Sequence, residues 1–395
     1  MQQDNKDIKK FFSTELLEWY GRSKRDLPWR RHRDPYFIWV SEIMLQQTRV
    51  DTVIPYFHRF IEKFPTVKAL AEAPEEDVLK CWEGLGYYSR ARNLQQAARQ
   101  VVEQHGGSIP DDLEAVSALK GVGPYTRGSI MSIAFNRPVP AVDGNVMRVL
   151  SRYFLIEEDI MKATTRKKME ALAEELIPEG RASDFNQALM ELGALVCTPK
   201  SPHCLTCPVM EHCQGRLAGM ETELPVKTKA KKPRPEYRLA ALVEGSGPDE
   251  GRVLVRQRPA TGLLARMWEL PHILAAADPA GGAGLPDGPA EDRLIGALAA
   301  ARVYAQPQGP YMEAEHTFSH IHWNLRVYRF RQSPELGALA ALGAVAESDA
   351  VYEIAAAQEG EPLETRWINR EDMEKLAFPN VFLKILNQYF SIGNS

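Results

Sequence analysis

The sequence is poor in three features: it has only five cysteines in 395 residues, no long apolar run and no excess of basic charge. No segment approaches the roughly 18 consecutive apolar residues that a membrane-spanning helix needs. Residues 1–10 are polar and charged, without the apolar stretch of a secretory signal peptide. We therefore expect a globular, cytoplasmic protein that does not contact a membrane. The length of the chain suits two or three domains.

The net charge of −4 hides an uneven distribution of charged residues. Residues 1–238 hold 35 Lys and Arg against 32 Asp and Glu, whereas the remaining 157 residues hold 13 against 20. This difference predicts separate domains. Because a DNA-binding domain generally has a basic surface, only the first part has a charge balance that leaves room for one.

Four of the five cysteines lie close together, at Cys197, Cys204, Cys207 and Cys213. In a chain expected to be cytoplasmic, clustered cysteines more often bind a metal than form disulfides. Zinc sites usually have two Cys-x2-Cys pairs. Because only one such pair is present, the spacing favours an iron-sulfur cluster. Zinc stays open, since there are two further candidate ligands nearby, His203 and His212.

Two textures divide the chain. Apolar residues recur every three or four positions up to about residue 219, which predicts an all-α domain over residues 1–219. Residues 220–236 are rich in lysine and proline and predict an extended linker, which is either only solvated or also touches DNA phosphates. Residues 237–395 predict an α/β domain, with strands at 237–244, 252–257, 311–318 and 321–330, a helix at 291–301, and loops near 275–290 and 333–346.

A tight turn is predicted at residues 119–126, with the sequence LKGVGPYT between two predicted helices. Gly121 and Gly123 let the backbone turn sharply, so that its amides can point at one phosphate. Two such glycines alone usually mark only a turn. Their position between helices predicts a helix-hairpin-helix element.

Two carboxylates have unusual surroundings. Asp143 precedes an apolar helix in the sequence PAVDGNVMR, where an aspartate commonly caps the helix. Amide donors that hold it ionised would suit a group that faces a developing cation. Glu42 lies on a predicted helix on the same face as Trp39 and Leu45, where burial would raise its pKa and suit a general acid. Taken alone, a glutamate at the core edge paired with an arginine is the simpler interpretation.

These motifs together resemble the endonuclease III superfamily of DNA glycosylases, over residues 8–219. The most similar members are the adenine DNA glycosylases of the MutY type. The resemblance rests on the hairpin, Asp143 and the cysteine spacing, and on LPWR at 27–30, VSEIMLQQTRV at 40–50, GLGYYSR at 84–90 and VDGNVMR at 142–148. It implies that the four cysteines hold a [4Fe-4S] cluster. It also implies a monomer that acts on double-stranded DNA with adenine opposite 8-oxoguanine or guanine.

The resemblance extends to the α/β domain, where EHTFSHIH at 315–322 is similar to the Nudix-like domain of these glycosylases. A hydrolytic Nudix enzyme needs a carboxylate-rich segment to hold divalent metal, but alanine, glycine and proline follow GLLARMWELP at 262–271. The implied role is recognition of 8-oxoguanine by Phe318, Ser319 and His320. On the residues alone, this segment would be an ordinary surface hairpin.

The resemblance implies a role for each candidate site residue. Glu42 protonates adenine, and Asp143 stabilises the cationic sugar or traps it briefly as a covalent adduct. Tyr125 and Asn145 orient Asp143 and the sugar. The implied contacts with substrate and DNA are Trp29, Arg30, Leu45 and Gln187 at the adenine, Gln47 and Tyr87 at the gap left by the flipped base, Ser117, Lys120, Gly121 and Gly123 at a phosphate, and Thr48 and Leu85 elsewhere on the DNA.

Position 125 separates the enzyme classes. Bifunctional members carry a lysine there, whose amine attacks the sugar and leads to strand cleavage through an imine. Tyr125 cannot form an imine, so we expect base removal with little or no lyase activity. Three rival interpretations remain: a thymine-mismatch glycosylase, a bifunctional pyrimidine glycosylase, and a non-enzymatic iron-sulfur DNA sensor, which would need neither Glu42 nor Asp143.

Overall fold

A computed structural model describes residues 2–229, 231–277, 290–341 and 363–392. Its contacts divide the chain into two units. The first unit comprises residues 1–73 and 90–229, and the second comprises residues 74–89 and 230–395. The first unit is helical and the second is α/β, which confirms the predicted fold class. None of the described helices is long and apolar enough to cross a membrane.

The helices of the first unit range from four to 22 residues in length. They are α1 (Gln2–Ser23), α2 (Pro35–Leu45), α3 (Val50–Lys63), α4 (Val67–Glu72), α6 (Ser89–His105), α7 (Leu113–Ala118), α8 (Pro124–Ser129), α9 (Gly144–Tyr153), α10 (Ala163–Leu176), α11 (Ala182–Leu195) and α12 (Gln214–Leu217). A π-helical turn, Ile130–Ala134, continues α8. Four of them begin at a side-chain N-cap that accepts a hydrogen bond from the first turn, which stabilises the helix start: Asp34, Thr66, Asp112 and Asp143.

The core around α9 holds the start of that helix in place. Phe12 of α1, Leu150 of α9 and Phe185 of α11 are fully buried in one cluster. Three of the four clustered cysteines, Cys197, Cys207 and Cys213, pack against it. Asp143 at the start of α9 and the cysteine segment are therefore attached to the same rigid core.

The second unit is built on a seven-stranded sheet. Its strands are β1 (Arg234–Glu244), β2 (Val253–Gln257), β3 (Trp268–Glu269), β4 (His272–Ala277), β5 (Ala305–Thr317), β6 (Ile321–Gln332) and β7 (Thr365–Ile368). The main path runs β3-β2-β1-β6-β5, with β4 paired to β1 and β7 paired to β2. Only the β1–β6 pair is parallel among the described strands.

Helices cover both faces of this sheet, α13 (Ala290–Ala300) on one face and α15 (Asn380–Ile392) on the other. A further helix, α14 (Pro334–Ala341), follows β6. Along β1 the side chains alternate: Ala240 and Leu242 join the core that contains α15, whereas Leu239, Ala241 and Val243 join the core that contains α13. A strand segment that is buried on both faces is apolar, as residues 239–243 of β1 are.

Helix α5 (Glu75–Trp82) and the loop after it belong to the second unit. Lys80 Nζ donates hydrogen bonds to the carbonyls of Met373 and Leu376, at 2.7 and 3.1 Å. Glu83 Oε1 accepts a hydrogen bond from the Phe378 amide at 2.8 Å. The sequence pattern did not anticipate this grouping. The domain boundaries 1–219, 220–236 and 237–395 stay a prediction.

Two of the loops expected from composition need correction. The expected loop at 333–346 contains helix α14, because the alanines and leucine after Pro334 form helix readily; residues 342–346 lie outside the described residues. The expected loop at 275–290 begins inside β4, which ends at Ala277, and residues 278–289 also lie outside the described residues.

Candidate active site

Glu42 is a buried carboxyl group on an almost wholly apolar helix. Only 4% of the residue is exposed, because α2 buries most of its length. The Tyr125 hydroxyl donates a hydrogen bond to Glu42 Oε2 and also lies 3.5 Å from the sulfur of Met190. Burial raises the pKa of Glu42, and the hydrogen bond from Tyr125 lowers that pKa only in part. Its partner is thus a tyrosine rather than an arginine.

Asp143 caps α9 with one oxygen and binds a side chain with the other. Oδ1 accepts the Val146 amide at 2.8 Å, and Oδ2 accepts Asn145 Nδ2 at 2.9 Å. The capping role therefore agrees with the sequence. Burial nevertheless raises the pKa of Asp143 above its usual value, because it outweighs the effect of these donors and of the charge of Arg148.

The carboxyl groups of Glu42 and Asp143 interact electrostatically in a buried environment. Besides burial, the negative charge of Asp143 raises the pKa of Glu42. Burial and then the charges of both carboxylates raise the pKa of Tyr125 well above its usual value of 10.0. Two carboxylates that interact in this way oppose each other's ionisation. Asp143 has more donors that stabilise a negative charge, the Val146 amide and the Asn145 side chain.

A second buried ionic group lies in the same unit, at Glu191 of α11. Glu191 is 1% exposed and accepts hydrogen bonds from the guanidinium groups of Arg25 and Arg30, at 2.7 to 3.1 Å. Burial alone would raise the pKa of Glu191, but the two arginines lower it to about 2. Arg30 also lowers the pKa of Glu42 slightly. Sequence reasoning singled out Arg30 but missed Arg25 and Glu191.

Other residues expected at the adenine are bound to neighbours in the fold. Trp29 is buried and its ring packs edge-on against Phe57, with centroids 5.5 Å apart. Gln187 Nε2 donates to the carbonyl and hydroxyl oxygens of Ser183, at 3.2 and 3.4 Å. Leu45 is half-buried at the end of α2. Their contact with adenine stays a prediction.

Two residues expected to fill the gap in the DNA have unusual backbone angles. Gln47 has φ +59° in the turn after α2, and Tyr87 has φ +49° in the loop after α5. Residues other than glycine seldom adopt such angles, and strain of this kind is concentrated at functional sites. Both side chains are exposed, and 45% of Tyr87 is accessible. The neighbouring Thr48 is half-buried and Leu85 is buried.

The predicted hairpin forms between α7 and α8. Gly121 has φ +75°, and a Cβ there would lie 2.7 Å from Cβ of Asn93, so only glycine fits. Gly123 caps α8 and is exposed. The amide of Lys120 donates to Gln100 Oε1 at 2.7 Å, and the hydroxyl of Ser117 donates to the Leu113 carbonyl at 2.6 Å. The Lys120 side chain is exposed.

In the second unit, Phe318, Ser319 and His320 form the turn between β5 and β6. The Phe318 amide donates to the Ile321 carbonyl at 2.7 Å and closes the turn. Ser319 and His320 are exposed, and Ser319 Oγ lies 3.1 Å from His320 Nδ1. Two polar side chains at an exposed turn can make hydrogen bonds to a ligand.

The four clustered cysteines line one pocket, together with Arg152 and other residues. Arg152 Nη1 donates to Cys197 Sγ at 3.3 Å. Among the residues that the structure describes, no three His, Cys, Asp or Glu side chains are placed to hold a single metal ion. Four cysteine side chains at one pocket have the chemistry to bind either a zinc ion or an iron-sulfur cluster.

Arg148 joins the cysteine segment to Asp143. Its guanidinium group donates to the carbonyl of Cys197 at 2.8 Å, to that of Gly193 at 2.7 Å and to Asn145 Oδ1 at 2.8 Å. Asn145 in turn donates to Asp143. Sequence reasoning gave Arg148 no role. Its position five residues after Asp143 on an amphipathic helix could have indicated a buried arginine.

The comparisons with known proteins agree with this geometry. Residues 40–179 match the HhH-GPD superfamily of base excision DNA repair proteins, and residues 247–388 match the NUDIX domain family. A solved thermostable thymine-DNA glycosylase is similar to the helical part, with 32% identity and a TM-score of 0.50, covering 54% of this chain and 99% of that one. Fold and site thus define a helix-hairpin-helix DNA N-glycosylase with a Nudix-like domain.

Curated relatives identify the family within that class. Adenine DNA glycosylase of Rattus norvegicus is 39% identical over 80% of this chain and 70% of the rat protein. The Homo sapiens enzyme is 40% identical over 66% of this chain and 57% of the human one. The chain belongs to the adenine DNA glycosylase family, whose members act in base excision repair.

Proposed function

We propose that this enzyme removes adenine paired with 8-oxoguanine or guanine in duplex DNA, and leaves the DNA strand intact. The observation that carries the proposal is the Glu42–Tyr125–Asp143 group. It combines two buried carboxyl groups that oppose each other's ionisation with a tyrosine at the position where a bifunctional enzyme needs lysine. We further propose that the chain works as a monomer in the cytoplasm.

Glu42 is the proposed general acid. Burial and the charge of Asp143 raise its pKa, which favours the protonated form near neutral pH. Donation of this proton to adenine N7 lets the base leave as a neutral molecule. A positioned acid of this kind contributes about 10² to 10⁴ in rate.

Asp143 is the proposed stabiliser of the sugar. Cleavage of the glycosidic bond leaves an oxocarbenium-like sugar, as in glycoside hydrolysis. A carboxylate held by the Val146 amide and Asn145 is already oriented, so it stabilises that cation electrostatically or forms a short-lived adduct. Water then completes the hydrolysis.

The adenine must leave the base stack before it reaches these groups. We assign the filling of the vacated space to Gln47 and Tyr87, whose strained, exposed backbones support such a role. The hairpin amides at Gly121 and Gly123, with Ser117 and Lys120, would hold a phosphate. Trp29, Arg30, Leu45 and Gln187 remain the proposed walls of the adenine pocket, with Thr48 and Leu85 near the DNA.

We propose a [4Fe-4S] cluster held by Cys197, Cys204, Cys207 and Cys213. Four thiolates at one pocket, with Arg152 beside Cys197, support it. The cluster would supply a structural crosslink. Through its hydrogen bonds to the Cys197 carbonyl and to Asn145, Arg148 would then link the position of the cysteine segment to that of Asp143.

The proposed reader of the opposite base is the turn Phe318–Ser319–His320. Its exposed hydroxyl and imidazole support hydrogen bonding to the edge of 8-oxoguanine. Guanine differs from 8-oxoguanine in the O8 and N7–H groups. The turn therefore belongs to discrimination between the two mispairs rather than to bond cleavage.

Single-turnover assays test the proposal with duplexes that carry adenine opposite 8-oxoguanine, guanine or thymine. We expect base release in the order 8-oxoguanine, guanine, thymine, and strand cleavage only after alkali. Glu42→Gln should still bind the mispaired duplex and should lose about 10² to 10⁴ in rate. Glu103→Gln, an exposed glutamate of α6, is the matched control. Undiminished release by Glu42→Gln, or cleavage without alkali, would overturn the proposal.

A further inference from the structure

One side chain behind the exposed turn of the second unit is held from several directions. Trp323 of β6 is fully buried, and its Nε1–H donates to Glu236 Oε2 at 3.1 Å. The guanidinium group of Arg238 lies over the Trp323 ring, 4.3 Å from its centroid. The ring of His272 meets it edge-on at 5.3 Å. An indole with its N–H bonded and its faces covered has one orientation.

Trp323 supports the turn directly. The Phe318 ring packs against Trp323 at a centroid distance of 4.9 Å and an interplanar angle of 74°. Such edge-to-face pairs stabilise the two rings beyond the effect of the area they bury. Phe318 is the first residue of the turn, and its amide closes that turn. The direction in which Ser319 and His320 project therefore depends on where the Trp323 ring lies.

Glu236 also supports the other end of the turn, through Arg234. The amide of Arg234 donates to the His320 carbonyl at 2.9 Å, where β1 runs parallel to β6. The side chain of Arg234 forms a salt bridge with Glu236 at 2.7 Å, and Glu236 binds Trp323. One buried carboxylate, Glu236, thus links the supports at both ends of the turn.

We propose that Trp323, clamped by Glu236 and Arg238, is a positioning residue that sets the preference of this enzyme for 8-oxoguanine over guanine. The inference rests on the proposed reading of the opposite base by the Phe318–His320 turn. Trp323 itself lies too deep to touch DNA, since none of its surface is exposed. It acts by holding the turn rigid, so that Ser319 and His320 lose little conformational entropy when they bind the base.

The test compares rates on adenine opposite 8-oxoguanine with rates on adenine opposite guanine, at subsaturating enzyme. Trp323→Leu removes the ring that supports Phe318, and we expect the 8-oxoguanine preference to fall roughly tenfold. Trp323→Phe keeps a ring but loses the bond to Glu236, and we expect a smaller fall. The rate at saturating enzyme on the guanine mispair should change less than twofold, because the turn takes no part in bond cleavage.

Arg326→Ala is the matched control, since Arg326 lies on the same strand in an exposed ion pair with Glu313. Thermal unfolding of each variant ensures that all rates refer to folded protein. Ser319→Ala and His320→Ala test the reading turn itself. If these two lower the preference but both Trp323 variants retain it, the positioning role is wrong and the proposed function stands. If none of the four changes the preference, the reading turn is wrong and the inference falls with it.

Discussion

At the scale of single residues, the central question is which carboxyl group holds the proton. Glu42 is more deeply buried than Asp143 and has one strong donor, Tyr125. Asp143 accepts hydrogen bonds from the Val146 backbone amide and the Asn145 side chain, and the positive charge of Arg148 lowers its pKa in part. Both pKa values are raised, so the difference between the two sets of donors decides the proton's position.

Tyr125→Phe tests this balance through the pH profile. The hydroxyl stabilises ionised Glu42 and so lowers its pKa; loss of the hydroxyl raises that pKa further. A general acid works only when protonated, so the rate falls as pH rises through its pKa. We expect the alkaline limb of the single-turnover rate to move to higher pH. The rate near neutral pH should fall roughly tenfold, because Glu42 loses an orienting bond.

The control for this change is Tyr36→Phe. The Tyr36 hydroxyl is also buried and donates to the Phe64 carbonyl at 2.7 Å, away from either carboxyl group. Its loss should reduce stability and leave the alkaline limb in place. An alkaline limb that moves to lower pH in Tyr125→Phe would show that the hydroxyl does not stabilise the Glu42 carboxylate.

At the scale of elements, the close approach of α9 and α11 positions Asp143. A Cβ on Gly193 would lie 2.6 Å from Cβ of Asn145 and 3.1 Å from its carbonyl oxygen. Alanine normally favours a helix over glycine by about 1 kcal/mol, but overpacking costs about 1 to 3 kcal/mol. We expect the overpacking against Asn145 to outweigh the higher helix propensity of alanine.

Gly193→Ala should therefore lower the free energy of unfolding and also slow adenine release. The slower release follows because the shift of α9 disturbs the bonds of Asn145 and Arg148 that orient Asp143. Urea unfolding and single-turnover kinetics measure the two effects. Gly21→Ala in α1, where nothing lies within 4 Å, is the control; it should raise the free energy of unfolding by up to about 1 kcal/mol and leave adenine release unchanged. A Gly193→Ala protein with full activity would mean that the helix contact does not position Asp143.

Local patterns predicted the elements better than they predicted the contacts between them. The 3.6-residue period and the glycine turn predicted the helical unit and the hairpin, because both depend on residues close in sequence. Glu191 was missed because its partners, Arg25 and Arg30, lie more than 160 residues away. Short strands such as Trp268–Glu269 carry too few residues to show an alternating pattern. The grouping of α5 with the second unit likewise depends on contacts across almost 300 residues.

At the scale of the whole molecule, the two units respond to acid with opposite sign. In the first unit, Glu42 and Asp143 have raised pKa values, so at neutral pH they lower the free energy of unfolding. This loss disappears as the pH falls toward the pKa values that the two groups have in the unfolded chain. Glu191, with a pKa of about 2, loses its contribution only below its usual value of 4.5. This unit therefore gains stability in mild acid.

The second unit contains a buried histidine with the reverse behaviour. Burial lowers the pKa of His272 from 6.5 to about 4, although Glu269 beside it opposes that shift. Arg238, Arg256 and Arg258 also surround the pair. The unfolded chain binds a proton at His272 below pH 6.5 that the folded unit does not bind. Stability is therefore lost as pH falls from 6.5 toward 4.

We expect the second unit to lose up to about 2 kcal/mol between pH 7 and pH 5, given roughly 1.4 kcal/mol for each unit of pKa shift, while the first unit gains stability. Urea unfolding followed by fluorine NMR of 5-fluorotryptophan measures this, because Trp29 and Trp39 report on the first unit and Trp268 and Trp323 on the second. His272→Gln should remove most of the pH dependence of the second unit, whereas the exposed His58→Gln should not. A second unit whose unfolding midpoint holds steady between the two pH values would show that His272 takes up a proton as readily in the fold as in the unfolded chain.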